Sequence, residues 1–238
     1  YQPATTFPDE ASASALPAVQ TSVLQRIQSR GALRVGYFAN NPPYAYVNRR
    51  GELVGFDVEM AHQLATDLGV RLELVPLPRD VLQGSLDSLR CDILMAGIAV
   101  TPDRAANLLL SASYLDETLA VLVPDHRREA FSSWESIRSM GPVRIGVPPA
   151  PYLEIKLRDQ VPQARTVRFN ELDEVFSASG IKAEAFMTTA ERGSIWTLLH
   201  PEYSVVVPRP GRFTVPVAYA VADRDLRDPG SQGEDAGM

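Results

Sequence analysis

The chain has 238 residues, enough for one large domain or two smaller ones with cores of their own. Its 45% hydrophobic and 22% charged content is in the ordinary globular range, and a net charge of −6 leaves no basic surplus to neutralise phosphates, which excludes a nucleic-acid partner. The lone Cys91 excludes an intrachain disulfide and a Cys-rich metal site, and no run approaches the roughly 18 apolar residues of a membrane span.

Cys91 precedes an apolar run and reads as a buried structural thiol. His62, His126 and His200 are too scattered to suggest a metal site, so no metal or cofactor is expected. The first 18 residues lack the basic start and apolar middle of a signal peptide. They are rich in Ala, Ser, Thr and Pro, and 1–21 is expected to be a flexible leader.

Order is predicted to begin with a short helix that Ser22 and Gln25 cap as a box and Gly31 ends. Leu33–Gly36 reads as a buried strand, 40–51 as turn, and 53–56 as a short apolar stretch. Asp57 is read as the cap of the next helix, in which Met60, Ala61, Leu64, Ala65 and Leu68 recur at helical spacing. Val70, Leu72 and Leu74 alternate as a strand, Leu82, Leu86 and Leu89 form a helical stripe, and Ile93–Ala96 is a fully buried strand. Thr101 caps a helix with Pro102 at its first position.

The alternation then restarts. Thr118–Val123 is an apolar strand, 125–129 a charged break, and a short helix starts in the run Ser132–Glu135. A second series follows: strand Val143–Val147, a helix from about Pro151, strand Thr166–Phe169, and a helix capped by Asn170 and ending at Gly180. Strand Glu184–Met187, a helix with the capping box Thr188 and Glu191, strand Tyr203–Val207 and the apolar run Val215–Ala222 complete it.

Strands alternating with helices imply an α/β fold with mostly parallel sheets. Two such series suggest two lobes: 22–121 with a return at about 214–226, and 122–213, followed by a disordered tail over 227–238. Open α/β sheets bind ligands beyond the carboxyl ends of their strands, so a cleft there is the expected site.

In residues 30–70, Gly36, the Pro42-Pro43-Tyr44 turn, then Gly51, Leu53, Gly55-Phe56-Asp57 and Met60-Ala61 stand in a characteristic order. Asp92, Gly97, Thr101 and Arg104 then follow at matching intervals. These motifs resemble bacterial family 3 extracellular solute-binding proteins, the polar amino-acid group, strongly from about Arg30 to Val123 and more weakly over Val143–Ala222. The resemblance implies a type II periplasmic-binding-protein-like fold with a hinge, closing on a small ligand. It also implies that Arg104 forks onto a ligand carboxylate. An arginine in the first helical turn opposes the local macrodipole, whereas an anion there meets both guanidinium and helix N–H groups.

The same resemblance places Gly97, Ala99 and Thr101 beside the ligand, with Gly97 offering backbone groups and Ala99 standing where relatives often carry a hydroxyl. Phe38 and Asn41 fall where relatives line the ligand's side chain, although Phe38 reads equally well as core. The second lobe departs from the pattern. Pro151 occupies a turn whose donors complete the carboxylate cage in relatives, and it has no N–H. Thr189 stands where amino-acid binders present an acid to the ligand ammonium, so a carboxylate without an α-ammonium is also a credible ligand.

The expected function is non-catalytic capture of a small carboxylate, an amino acid or a related organic acid, by a periplasmic or extracytoplasmic monomer serving a membrane transporter. A ligand-sensing ectodomain of a membrane receptor has the same fold. An enzyme reading remains, since some relatives are cyclohexadienyl dehydratases and some form the regulatory half of lytic transglycosylases. A dehydratase needs an acid for the leaving hydroxyl, and Glu191 is the second-lobe candidate.

Overall fold

The computed structural model describes residues 3–16, 22–79, 90–177 and 180–221. Its elements in chain order are β1 (Thr5–Thr6), α1 (Val23–Arg30), β2 (Ala32–Tyr37), β3 (Tyr46–Val47), β4 (Leu53–Val54), α2 (Phe56–Asp67), β5 (Arg71–Pro76), β6 (Ile93–Ala99), α3 (Pro102–Asn107) and β7 (Leu109–Leu110). There follow β8 (Leu115–Pro124), α4 (Trp134–Ser139), β9 (Arg144–Val147), α5 (Pro151–Gln160), β10 (Arg165–Arg168), β11 (Ala185–Thr189), α6 (Ala190–Leu199), β12 (Tyr203–Val206) and β13 (Thr214–Val221). The chain divides into one unit of Tyr1–Tyr114 with Val217–Met238 and a second of Leu115–Pro216.

In the first unit β1, β5, β2 and β6 are parallel neighbours in that order, and β13 runs antiparallel to β6. All six residues of β2 are buried, because strands flank it and apolar clusters cover both faces. The side-chain alternation of β6 shows why its sequence reads as a continuous apolar run. Leu94, Ala96 and Ile98 enter one cluster, with Val75 and Leu108, while Met95 enters the other, with Val35, Leu72 and the α2 residues Val58, Ala61 and Ala65. Ser22 and Gln25 form the expected capping box on α1. That helix is fixed to the sheet by Asp92, fully buried, which accepts from Arg26 Nε (3.1 Å), Arg30 Nη2 (2.5 Å) and the Arg34 N–H (2.9 Å).

Residues 3–16 are not the flexible leader that composition suggests. Thr5 and Thr6 extend the sheet beside Glu73 and Leu74, Phe7 donates its N–H to the Leu74 carbonyl, and Ala13 and Leu16 are buried in the core. The open edge of β5 supplies backbone partners, and three apolar anchors among many small polar residues suffice to hold the segment. The expected helix through Leu82, Leu86 and Leu89 and the tail 227–238 lie outside the described residues.

In the second unit β11, β9 and β10 are parallel, with β8 antiparallel to β11 and β12 antiparallel to β8. The whole of β8 goes with this unit, not only the part beyond 121, because Leu119–Pro124 pair with β11 and β12. Its core gathers Val121, Val123, Phe131, Trp134, Ile137, Ile145, Leu153, Leu157 and Met187.

Two helix starts differ from expectation. The segment after Asn170 is a 3-10 turn, Leu172–Phe176, in which Glu171 and Glu174 form the box and the Glu174 carboxylate also accepts the Asn170 N–H. A carboxylate reaching two consecutive N–H groups outcompetes the Asn amide as cap. The helix α6 begins one residue later than read, with Thr189 as N-cap accepting from the Arg192 N–H at 3.4 Å. Thr188 is instead an interior strand residue opposite Ala120.

Candidate ligand-binding site

The loops that leave β5, β2 and β6 all emerge at the carboxyl edge of the first unit's sheet, because those strands are parallel and adjacent. The β2 loop is pinned there by Asn41, which is buried, donates its side-chain amide to the Ala96 carbonyl at 3.1 Å and closes a tight turn with Ala45. Its polar groups therefore hold the loop on β6.

Tyr44, wholly buried, comes next and lies against Gly97. Gly97 has φ +58°, and a Cβ there would stand 2.6 Å from the Tyr44 ring, so only glycine fits this bend. Gly55 is constrained from the other side: φ is +138° and a Cβ would overlap the Tyr44 carbonyl.

Gly55, not Asp57, is the N-cap of α2, and it makes no side-chain cap bond. Asp57 sits inside the first turn with its carboxylate buried at 1% exposure. It accepts from the Gly97 N–H at 2.8 Å and from the hydroxyls of Tyr114 at 3.1 Å and Tyr219 at 3.2 Å. The two tyrosine rings stack with centroids 4.4 Å apart, and Phe56 stacks on Tyr114 at 5.6 Å. Burial, and secondarily the Asp57 charge, push both phenols well above their ordinary range, so they are proton donors at any physiological pH. Sequence reasoning missed this cluster because its members are 57 and 162 positions from Asp57 and share no local pattern.

The Gly97 N–H is thus engaged by Asp57, so the part it was expected to play as a donor to a ligand passes to other groups. Past β6, Thr101 is the N-cap of α3 as read, its hydroxyl accepting from the Arg104 N–H at 3.3 Å. The Arg104 side chain folds back so that Nη1 donates to the carbonyl of Ala99 at 2.9 Å. Ala99 is buried, and its role is that carbonyl together with its pairing to Val217. With only six residues, α3 contributes a weak dipole, and anion binding here falls mainly to the guanidinium.

Phe38 is 6% exposed and packs with Leu77, Cys91, Leu94 and Leu108, which is the core reading. Burial pushes the Cys91 thiol up to about 12 and leaves it inert. The guanidinium of Arg79, on the β5 loop, lies 5.3 Å from the centre of the Phe38 ring.

Six of the expected residues, Phe38, Asn41, Gly97, Ala99, Thr101 and Arg104, therefore cluster on two adjacent loops of the first unit. The remaining two lie in the second unit, past the carboxyl ends of the parallel neighbours β9 and β11. Pro151 is the exposed first residue of α5, where its missing N–H leaves no helical bond unmade. Thr189 is buried as the α6 cap. Glu191 is not a capping residue: its Oε2 accepts the Thr118 N–H at 2.8 Å, and Arg192 pairs with the buried Glu117 at 2.7 Å. Among the described residues no group of three or more His, Cys, Asp or Glu is placed to hold a metal ion, and no helix is long and apolar enough to cross a membrane.

Residues 33–216 match the family profile of bacterial extracellular solute-binding proteins, family 3. The chain is 32% identical over 199 residues to the cyclohexadienyl dehydratase of Pseudomonas aeruginosa, covering 83% of this chain and 74% of that protein. It is 35% identical over 101 residues to an L-cystine-binding protein of Escherichia coli, a match spanning 42% of this chain and 38% of that one. Among solved structures, an ancestral amino acid-binding protein described as a precursor of cyclohexadienyl dehydratase superposes with a TM-score of 0.74 at 28% identity, covering 86% of this chain and 88% of that one.

Proposed function

Because the chain belongs to the bacterial extracellular solute-binding proteins, family 3, and has the type II periplasmic-binding-protein fold, we propose that it is a non-catalytic, extracytoplasmic binding protein for a small carboxylate, an amino acid or related organic acid, that serves a membrane transporter. The observation that carries this reading is Arg104. Its backbone is held by the Thr101 cap and one guanidinium nitrogen by the Ala99 carbonyl, so the fork is oriented before a ligand arrives. A pre-oriented guanidinium beyond the carboxyl end of a parallel strand is suited to bidentate capture of a carboxylate.

A thermal-shift screen over amino acids, dicarboxylates and aromatic acids tests the reading. A ligand at about 100 times its Kd adds roughly 2.7 kcal/mol of stability, enough to raise the melting temperature by several degrees. A screen in which no carboxylate raises it would count against the proposal.

A second reading, a cyclohexadienyl dehydratase, is favoured by the likeness to the Pseudomonas aeruginosa enzyme over most of the chain. Against it, Glu191, the candidate acid of the second unit, is engaged by the Thr118 N–H. Incubation with prephenate or arogenate decides between the two: turnover would make the protein an enzyme, and binding without turnover supports the first reading.

A further inference from the structure

We propose that Arg79 is a specificity-determining residue and that the site takes a ligand with two anionic groups, a short dicarboxylate or an acidic amino acid. This inference rests on the proposed role of Arg104 and extends it to the ligand's far end.

The argument is one of placement. Strands β5, β2 and β6 lie side by side in parallel register, Val35 facing Leu74 on one side and Ile93 on the other. Arg79 follows the end of β5 by three residues, Phe38 directly follows β2, and Arg104 follows β6 by five. All three loops thus leave one edge of one sheet. Their origins are separated by two strand spacings, about 10 Å in total. The site then has a cation on each flank, with the β2 loop between them.

The middle loop carries nothing that would neutralise either cation. It presents the Phe38 ring, buried from below, and Asn41, whose amide is turned to Ala96. The carboxylate nearest this loop is Asp57, two residues past the Gly55 that packs on Tyr44, and it is committed to three donors. Phe38 instead serves Arg79 as a seat. A guanidinium held against an aromatic face is restrained without losing its N–H edges, and its five donors exceed what any single protein partner occupies. Desolvated apolar contact on one side and a carboxylate on the other is a favourable setting for arginine. A ligand with one carboxylate and a neutral tail would leave Arg79 facing an uncharged group. A second carboxylate would pair with it.

Calorimetric titration of the chain with glutamate, glutamine, 2-oxoglutarate and aspartate, repeated on Arg79→Ala, Arg79→Gln and Arg104→Ala, tests the assignment. Glutamine matches glutamate in shape and differs in the charge of the far group. The unmodified protein is expected to bind at least one of the three dianionic compounds, and glutamate about tenfold or more tighter than glutamine. Both Arg79 variants should abolish that preference and leave glutamine affinity unchanged, whereas Arg104→Ala should weaken every ligand. Preference for glutamine, or Arg79 variants that retain the preference for glutamate, would overturn the role of Arg79 alone, provided that binding still depends on Arg104. Loss of no affinity in Arg104→Ala, or no binding of any of these compounds together with an empty carboxylate screen, would overturn both this inference and the proposed function beneath it. Arg79 lies outside the strands and is partly exposed, so unchanged circular dichroism is expected for its variants; Arg79→Gln, which keeps length and polarity, guards against a packing effect in Arg79→Ala.

Discussion

The Gly97 N–H donates to the Asp57 carboxylate across 2.8 Å, joining the bend of one strand to the first turn of a helix 40 positions earlier. Through this bond and the two tyrosine hydroxyls, the loops that carry the candidate site are held by one buried charge. Replacing Asp57 by Ala leaves three donors without their acceptor and is expected to destabilise the protein by about 2–4 kcal/mol. Asp57→Asn should cost less, because a tyrosine hydroxyl can turn and accept from the new amide. Urea unfolding midpoints of both variants measure this, and an Ala variant within roughly 0.5 kcal/mol of the parent would remove the role.

Arg104→Ala should weaken carboxylate binding by about 2–5 kcal/mol, since the ligand charge would be desolvated without its partner. Arg104→Lys should restore part of the loss: the charge returns but the planar fork does not. Calorimetry on the three proteins gives the comparison, and equal affinity in the Ala variant would take Arg104 out of the site.

Thr189 is a hydroxyl where an acid is expected in amino-acid binders, and one hydroxyl does not repay the desolvation of an ammonium. The protein should therefore separate an α-amino acid poorly from its 2-hydroxy or deamino analogue. Because Asp is as good an N-cap as Thr, Thr189→Asp is expected to fold and to shift preference toward the amino acid. Paired titrations check this, and a strong ammonium preference in the unmodified protein would contradict it.

Alkaline conditions should destabilise the fold through Cys91, Tyr114 and Tyr219, all raised by burial in the folded state. A raised group contributes stability below its ordinary value, and that contribution is lost as pH climbs toward the folded value. For Cys91 the window runs from its ordinary 9.0 to about 12, a loss of about 4 kcal/mol. Cys91→Ala should flatten the decline over this window in pH-resolved urea melts, with the tyrosine contribution remaining above about pH 10. The native thiol should also resist alkylation until the protein unfolds.

Much of this was legible in the linear chain because its physical cause is local. The Ser22 box, the Pro102 helix start with its Thr101 cap, and the apolar runs of β2 and β6 follow from capping chemistry and periodicity within a few residues. The order of motifs from Gly36 to Arg104 was enough to indicate the family, and the alternation of strands and helices its α/β class. What the sequence hid depends on partners far away along the chain. Asp57 looked like a cap because a carboxylate at a helix start is usually one; that it serves Gly97, Tyr114 and Tyr219 is a fact of packing. Residues 3–16 looked flexible because their composition is poor in apolar groups, yet an open strand edge and a few anchors order them. Glu191 looked like half of a capping box, and only the neighbouring β8 backbone, through Thr118, decided its use. Arg79 carried no signal at all, because its meaning comes from a strand order that places β5 beside β2 and so sets its guanidinium on Phe38.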